Sequence, residues 1–416
     1  MSIKSKINHN RQSSALRIFF IILLAIVIDQ AMESVLLESV APIDPTGLIS
    51  NIFLASSIPF AIFLASLSDY HCRRKMMIFT TISMLLSGIA ILFFNKINID
   101  SIAYIALALK GIGGNVTPVA LASLATIVSP KQFTMALAAA IWAYSIGSWG
   151  SIYTRSFEYL PLLVVVLSLC CSVIIVRWFK ETEFDHFSLT NNTFNFNHFA
   201  KFAIEDWKLI GLFCILPPVV LAFSGYIFSE ISFYQILLRG EVLITDIFYS
   251  KLSFTLGIGY FIGTIILCIL QIKNFSDKYC IKLGVLIAFL SIFLSFLLNY
   301  SNTRIEFLDN LFMFIFSFGF SLFIPAMFSI LSKIKKQNEQ GKIYGLVDST
   351  DTLSTIIATK YIKSSKSVPY THVLWLSSTL MFLGGMLILS FIHYVKKMRR
   401  ANEHQSKERK NSRKRE

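Results

Sequence analysis

What this sequence has least of is charge: Asp, Glu, Lys and Arg make up 15% of its 416 residues, where soluble domains carry about 25%. That shortfall excludes an ordinary water-soluble globule. Acids are the scarcer sign, 24 against 38 bases, and a net charge of +14 would suit a nucleic-acid binder if the bases were interleaved with stacking aromatics. They are not. The last 21 residues, 396–416, hold ten Lys/Arg against three Glu and no aromatic, so half of the net charge sits in one tail and no nucleic-acid partner is expected. Nucleotide and hydrolase motifs are missing too. Gly341-Lys342 lacks the upstream glycine of a phosphate-binding loop, and neither HExxH nor GxSxG occurs, so no catalytic residue, metal site or cofactor is expected. Cysteines number six. Cys170, Cys171, Cys214 and Cys268 lie in apolar runs, and Cys72 and Cys280 in short basic turns, which reads as free thiols rather than a disulfide framework.

What is present is apolar length: 55% of the residues are hydrophobic and the mean hydropathy is +0.64. The first run starts after Arg17, continues to about Val40 and contains three acids. It is too long and too polar for a signal peptide and reads as a retained span. Apolar runs set against charged punctuation predict spans near 18–40, 46–67, 76–95, 101–123, 132–154, 158–179, 208–236, 246–271, 280–299, 308–332, 342–361 and 371–395, each about long enough to cross 30 Å of hydrocarbon as a helix. Twelve spans place both termini on one side. The eleventh is the most polar, with Asp348, Ser349, Thr350, Asp351, Thr352, Ser354 and Thr355. Without it, the basic tail would lie opposite Arg73, Arg74, Lys131, Lys273, Lys335 and Lys336, against the rule that bases collect in cytoplasmic loops.

The longest connection, about 180–208, divides the chain into two halves of six spans. Repetition agrees with the division. Asp69-Tyr70-His71-Cys72-Arg73-Arg74 is echoed by Asp277-Lys278-Tyr279-Cys280-Ile281-Lys282, and the offset of 208 (277 − 69) is half the chain length. Pro130-Lys131-Gln132 falls by the same offset beside Asn338-Glu339-Gln340. Transporters built from parallel repeats have this layout.

The turn Leu67-Ser68-Asp69-Tyr70-His71-Cys72-Arg73-Arg74-Lys75 resembles the motif GxLaDrxGrk between the second and third helices of the major facilitator superfamily. Leu67, Asp69, Arg73 and Arg74 fill their slots, while Ala65, Tyr70 and Cys72 replace a Gly, a base and a Gly. Lys110-Gly111-Ile112-Gly113-Gly114-Asn115 resembles the fourth-helix motif RxxqGxg, with Lys for Arg and Gly114 in the glycine slot. The antiporter motif GxxxGPxxGG is essentially absent from the fifth span, where Ala140 and Tyr144 stand at the first two glycine slots. The resemblance implies an all-α polytopic membrane protein of twelve transmembrane helices in two pseudo-symmetric six-helix halves. The divisions are an N-terminal segment 1–17, halves 18–179 and 208–395, a central loop 180–207 and a basic tail 396–416. It also implies that Asp69, Arg73 and Arg74, with Asp277 and Lys282 as counterparts, form a gate between helix ends.

Ionised groups at membrane depth are costly, and each one points to function. Asp29 is about eleven residues into the first span, with Glu33 one turn further on the same face. Two carboxylates that close in low dielectric are not both charged, so one is expected to hold a proton. Lys110 lies at similar depth in the fourth span and is the counter-charge, either as part of a proton-coupling set with Asp29 and Glu33 or as a static salt bridge that fixes packing. Asp348 and Asp351 share a face of the eleventh span, with Thr355 one turn beyond. A helix that polar lines a wet cavity, unless Asp348 merely caps a later start. Asn115, Trp142 and Tyr144 complete the candidate cavity residues, with packing through Gly147 and Gly150 the alternative for the fifth span. Glu38 is read as interfacial, and Pro217-Pro218 and Pro325 as helix breaks.

These features predict a proton-coupled secondary transporter of a small polar or zwitterionic organic solute. It would be a monomer in the lipid of a bacterial inner membrane, with both termini cytoplasmic. Its partners are the solute, protons and lipid. Drug or metabolite efflux by proton antiport is the alternative within the class, and a non-transporting receptor or scaffold the alternative outside it.

Overall fold

The computed structural model describes residues 3–40, 48–70, 72–97, 100–129, 132–153, 159–179, 217, 219–225, 227–228, 245–301, 306–333, 339–364 and 370–412. The central connection 180–207 lies outside them. Every long apolar run among the described residues is helical, as hydrocarbon requires of a backbone that must satisfy its own hydrogen bonds. The first half holds α1 (Ile3–Val40), α2 (Leu48–Tyr70), α3 (Arg73–Ile97), α4 (Asp100–Gly113), α5 (Val116–Ile127), α6 (Phe133–Tyr153) and α7 (Leu160–Trp178). The second holds α8 (Thr245–Ile272), α9 (Asp277–Tyr300), α10 (Glu306–Ser332), α11 (Gln340–Ser364) and α12 (Tyr370–Ser412). The described residues of 217–228, in the expected seventh span, are helical as well.

Nine segments among the described residues are long and apolar enough to cross a membrane, with Asp100–Ile127 counted as one. α11 is not among them, yet it is a continuous 25-residue helix. Its polar residues are tolerated because it packs against α2 and α5 and not against lipid alone. The fourth span is divided where the sequence predicts one helix. Gly114 adopts φ +61°, a left-handed conformation that glycine takes without steric cost, and the chain restarts as α5. α10, by contrast, runs unbroken through Pro325, where a break was expected.

Burial follows the two halves. One apolar core draws on α1–α7, joined by Tyr344 of α11, and the other on residues from Leu221 to Ile392, joined by Ala138 of α6. Leu286, Leu290, Leu294 and Leu297 of α9 stay exposed and form the side turned to lipid. The halves meet chiefly where α2 packs on α11 and α6 on α8. Within the second half, Gly259 lets α8 approach α10 closely, because a side chain there would collide with Ser317 and the Phe314 carbonyl of α10. The five described cysteines, Cys72, Cys170, Cys171, Cys268 and Cys280, are free, and Cys214 lies outside the described residues.

Candidate functional site

Asp29 is the organising charge. It is fully buried on α1, and its Oδ1 accepts from Lys110 Nζ at 2.7 Å. Its other oxygen accepts from the Val116 backbone N–H at 3.0 Å. Val116 is the first residue of α5, and Asn115 at the N-cap makes no side-chain cap of its own. The break at Gly114 thus exposes a helix N-terminus with orphan donors and partial positive charge, and Asp29 satisfies it from a different helix.

From Lys110 the polar contacts continue into the second half. Lys110 Nζ donates to Asn115 Oδ1 at 3.3 Å, and Asn115 Nδ2 donates to Asp348 Oδ2 of α11 at 3.0 Å. Asp29, Lys110, Asn115 and Asp348 therefore form one chain across the interface. Beside it lies a cavity of about 500 Å³. Glu33, Tyr144, Asp348 and Asp351 line it, and the enclosed Glu33 Oε2 makes no hydrogen bond among the described residues.

Other expected residues are elsewhere. Trp142 is not in the cavity wall but packs on Phe261 of α8, with ring centroids 5.2 Å apart. Thr355 is also absent from the wall, and its hydroxyl donates to the Asp351 carbonyl of its own helix at 3.1 Å. Asn115 acts through the polar chain and does not line the cavity. The side chains of Glu38 and Gly150 lie outside the described residues. Sequence reasoning missed Gln30, Thr117, Tyr260, Phe316, Phe320 and Tyr344, all in the wall. Gln30 could have been found, because it stands between two acids in an otherwise apolar run.

At one end of the molecule the turn residues join the halves. Asp69, 5% exposed, accepts from the backbone N–H groups of Gly341 (2.8 Å) and Lys342 (3.0 Å) at the start of α11. Arg73 holds the acid from its own side: Nη2 lies 3.4 Å from Asp69, while Nη1 donates to the Ala122 carbonyl and Thr126 Oγ1, each at 2.8 Å. Arg74 reaches the Val176 carbonyl at the end of α7, within its own half, so it braces the turn and does not cross the interface. Tyr70, in a slot where the resembled motif has a base, receives one from the other half: Lys342 Nζ is 4.9 Å from its ring centroid, within cation–π range.

The second latch mirrors the first with different chemistry. Asp277 accepts from Thr134 Oγ1 in the first turn of α6 at 2.8 Å, from Ser329 Oγ at 3.0 Å and from Lys333 Nζ at 2.6 Å. Lys282, expected as its basic partner, is exposed on α9, and Lys333 of α10 takes that place. Both acids thus reach the start of the fifth expected span of the opposite half, Asp69 through backbone N–H groups and Asp277 through a hydroxyl.

The sequence profile of the Major Facilitator Superfamily matches residues 14–359. The chain belongs to the major facilitator superfamily. No curated protein matches the sequence, but solved structures share the fold. A human organic anion transporter, MFSD10 (TETRAN), aligns with a TM-score of 0.65 at 16% identity, covering 90% of this chain and 99% of its own. FucP in its outward conformation gives 0.67 at 14% identity, covering 92% and 99%. A bacterial homologue of the iron transporter ferroportin, outward-facing, gives 0.67 at 14%, covering 91% and 98%. As a member of this superfamily the chain is a multi-pass membrane protein and a secondary transporter of small molecules, not an enzyme.

Proposed function

We propose that the protein couples proton movement to transport of a small polar organic solute by alternating access, with the cavity between the halves as its transport site. The observation that carries this reading is the polar chain from Asp29 through Lys110 and Asn115 to Asp348. It ties the charge state of one half to the position of the other. Glu33, Asp351, Tyr144 and Tyr260 face the same cavity. Among these groups Glu33 is the proton carrier: Asp29 is held by an ammonium and a helix N-terminus, whereas Glu33 Oε2 has no such partner. Loss or gain of a proton there alters the field at Lys110 and Asp348, and the halves separate when the Asn115 link yields. The latches at Asp69 and Asp277 then open at the base-rich end, which faces the cytoplasm because loops rich in Lys and Arg remain on that side. Both termini follow to the same side.

The test is counterflow and pH-dye flux in proteoliposomes across amino acids, sugars, organic acids, nucleosides and cationic drugs at two pH values. At least one solute is expected to exchange, with net flux that moves protons. Exchange with no proton flux and no pH dependence would remove coupling from the proposal. Efflux by proton antiport is the second reading, favoured by the aromatic part of the cavity wall. Net flux under an imposed proton gradient separates it from uptake.

A narrower prediction concerns the link itself. Asn115→Leu removes both bonds of the relay yet leaves the Asp29–Lys110 pair in place, so the melting temperature should fall by only a few degrees. Exchange of the best solute from the panel should fall at least about tenfold. Wild-type exchange in this variant would rule the link out of the mechanism.

A further inference from the structure

Lys110 makes the membrane-embedded charge look balanced in the sequence, but it does not line the cavity. It is 1% exposed, directed at Asp29 and Asn115, and absent from the wall. The wall itself carries Glu33 from one half and Asp348 and Asp351 from the other, and among the described residues no Lys, Arg or His lines it. Any charge that these described lining residues carry is therefore negative.

Much of the rest of the wall is aromatic. Phe316, Phe320 and Phe323 of α10 follow one another with ring centroids 4.8 and 4.7 Å apart, and Phe328 meets Tyr344 at 6.2 Å. All five line the cavity. Rings of this kind attract cations through their faces and accept apolar bodies, whereas a carboxylate solute would meet like charge and no basic side chain among the described lining residues. A volume of about 500 Å³ falls within the range of sites for drug-sized molecules.

We infer that the cavity recognises an organic cation, an ammonium on an aromatic or apolar body, with the ammonium held between Glu33 and Asp348 and the body against the Phe316–Phe323 wall. This selectivity rests on the reading of the cavity as the transport site. Each carboxylate belongs to a different half, so the bound ammonium bridges them. A hard divalent cation fits less well: its oxygen ligands number six or more, and no group of three acids, histidines or cysteines with metal-holding geometry occurs among the described residues.

The test uses purified full-length protein and three probes that share one apolar body: biphenylmethylamine, biphenylmethanol and biphenylcarboxylate, with manganese(II) chloride as a fourth. Calorimetry and thermal shift are expected to show the amine binding at least about tenfold more tightly than the alcohol, and no binding of the carboxylate or of manganese. Glu33→Gln and Asp348→Asn should each weaken the amine at least about tenfold. If either variant fails to run as a single species in size-exclusion chromatography, Phe320→Leu provides the second measurement, with the same expected loss. Equal affinity for the alcohol, preference for the carboxylate, a response to manganese alone, or no response to any probe overturns the inference. Counterflow of the amine in liposomes then tells the two readings apart. Binding without exchange sinks the transport site and leaves recognition intact, whereas exchange of the carboxylate instead of the amine does the reverse.

Discussion

Lys110→Ala is expected to destabilise the protein by about 3–5 kcal/mol, the usual effect of removing one partner from a buried ion pair, and to abolish exchange. The physical reason lies in what Asp29 keeps after the substitution. Its bond to the Val116 N–H survives, but the ammonium at 2.7 Å is gone and no solvent reaches the carboxylate. A charge so placed must be neutralised or the helices must part. The double variant Asp29→Asn with Lys110→Met should recover most of the loss, to within about 1 kcal/mol, because both charges disappear together and an Asn oxygen can still cap α5. Exchange should not return. Thermal unfolding of the three proteins, followed by intrinsic fluorescence, checks the stability half, and counterflow checks the other. A Lys110→Ala protein that melts with the wild type would show that the pair contributes nothing.

Gly341→Ala should prevent the latch at Asp69 from closing. A Cβ at Gly341 would collide with the Ala65 carbonyl oxygen and lie 2.8 Å from its carbon. These are backbone atoms of α2, so no rotamer change relieves the collision. Overpacking of this kind costs about 1–3 kcal/mol even where neighbours can adjust, and about 3 kcal/mol moves a two-state equilibrium roughly a hundredfold. The closed arrangement described here should therefore become the minor one. Spin labels at Lys75 and Lys282, exposed positions at the same end in opposite halves, would report a longer distance distribution in the variant than in the wild type. An unchanged distribution would mean that α2 and α11 do not approach this closely in the membrane.

The close approach also explains how the turn functions without the glycine that the family motif has at position 65. Gly341 and Gly345 of α11 lie directly against Ala61 and Ala65 of α2. The missing side chain is supplied by the partner helix. Reading the motif one position at a time registers a loss at Ala65, because the compensation lies 276 residues away (341 − 65). What the sequence made legible was depth and sign. Asp29 and Lys110 could be paired because both lie about ten residues into their spans, and α11 could be recognised because its polar residues had to face away from lipid.

Angular position around each helix was harder to read. Asp277 and Lys282 are five residues apart on one helix and so point roughly 140° apart, whereas Asp69 lies near the end of α2 and Arg73 begins α3, so the turn between the helices brings the two together. The echo of the turn matched residue types and missed that phase, which is why Lys333 and not Lys282 meets Asp277. Trp142 and Tyr144 part for the same reason: two residues apart, they point to nearly opposite sides, and of the two Tyr144 lines the cavity. The divided fourth span was signalled by Gly113-Gly114, but its consequence, a helix N-terminus aimed at Asp29, depends on how α1 packs and has no local sequence signature.

α12 continues as a single helix of 43 residues, about 64 Å at 1.5 Å per residue, roughly twice the hydrocarbon thickness. Its apolar stretch ends near Tyr394. The remaining turns, 395–412, extend the helix by about 27 Å, and their many bases place them on the side where Asp69 and Asp277 are proposed to latch. A rotation of that half by about 15°, the size of a subunit rotation in a switching oligomer, swings the tip by roughly 7 Å. If the halves rock as proposed, the basic end of α12 would convert the opening of a gate among helix ends into displacement of a dense positive charge beyond the membrane.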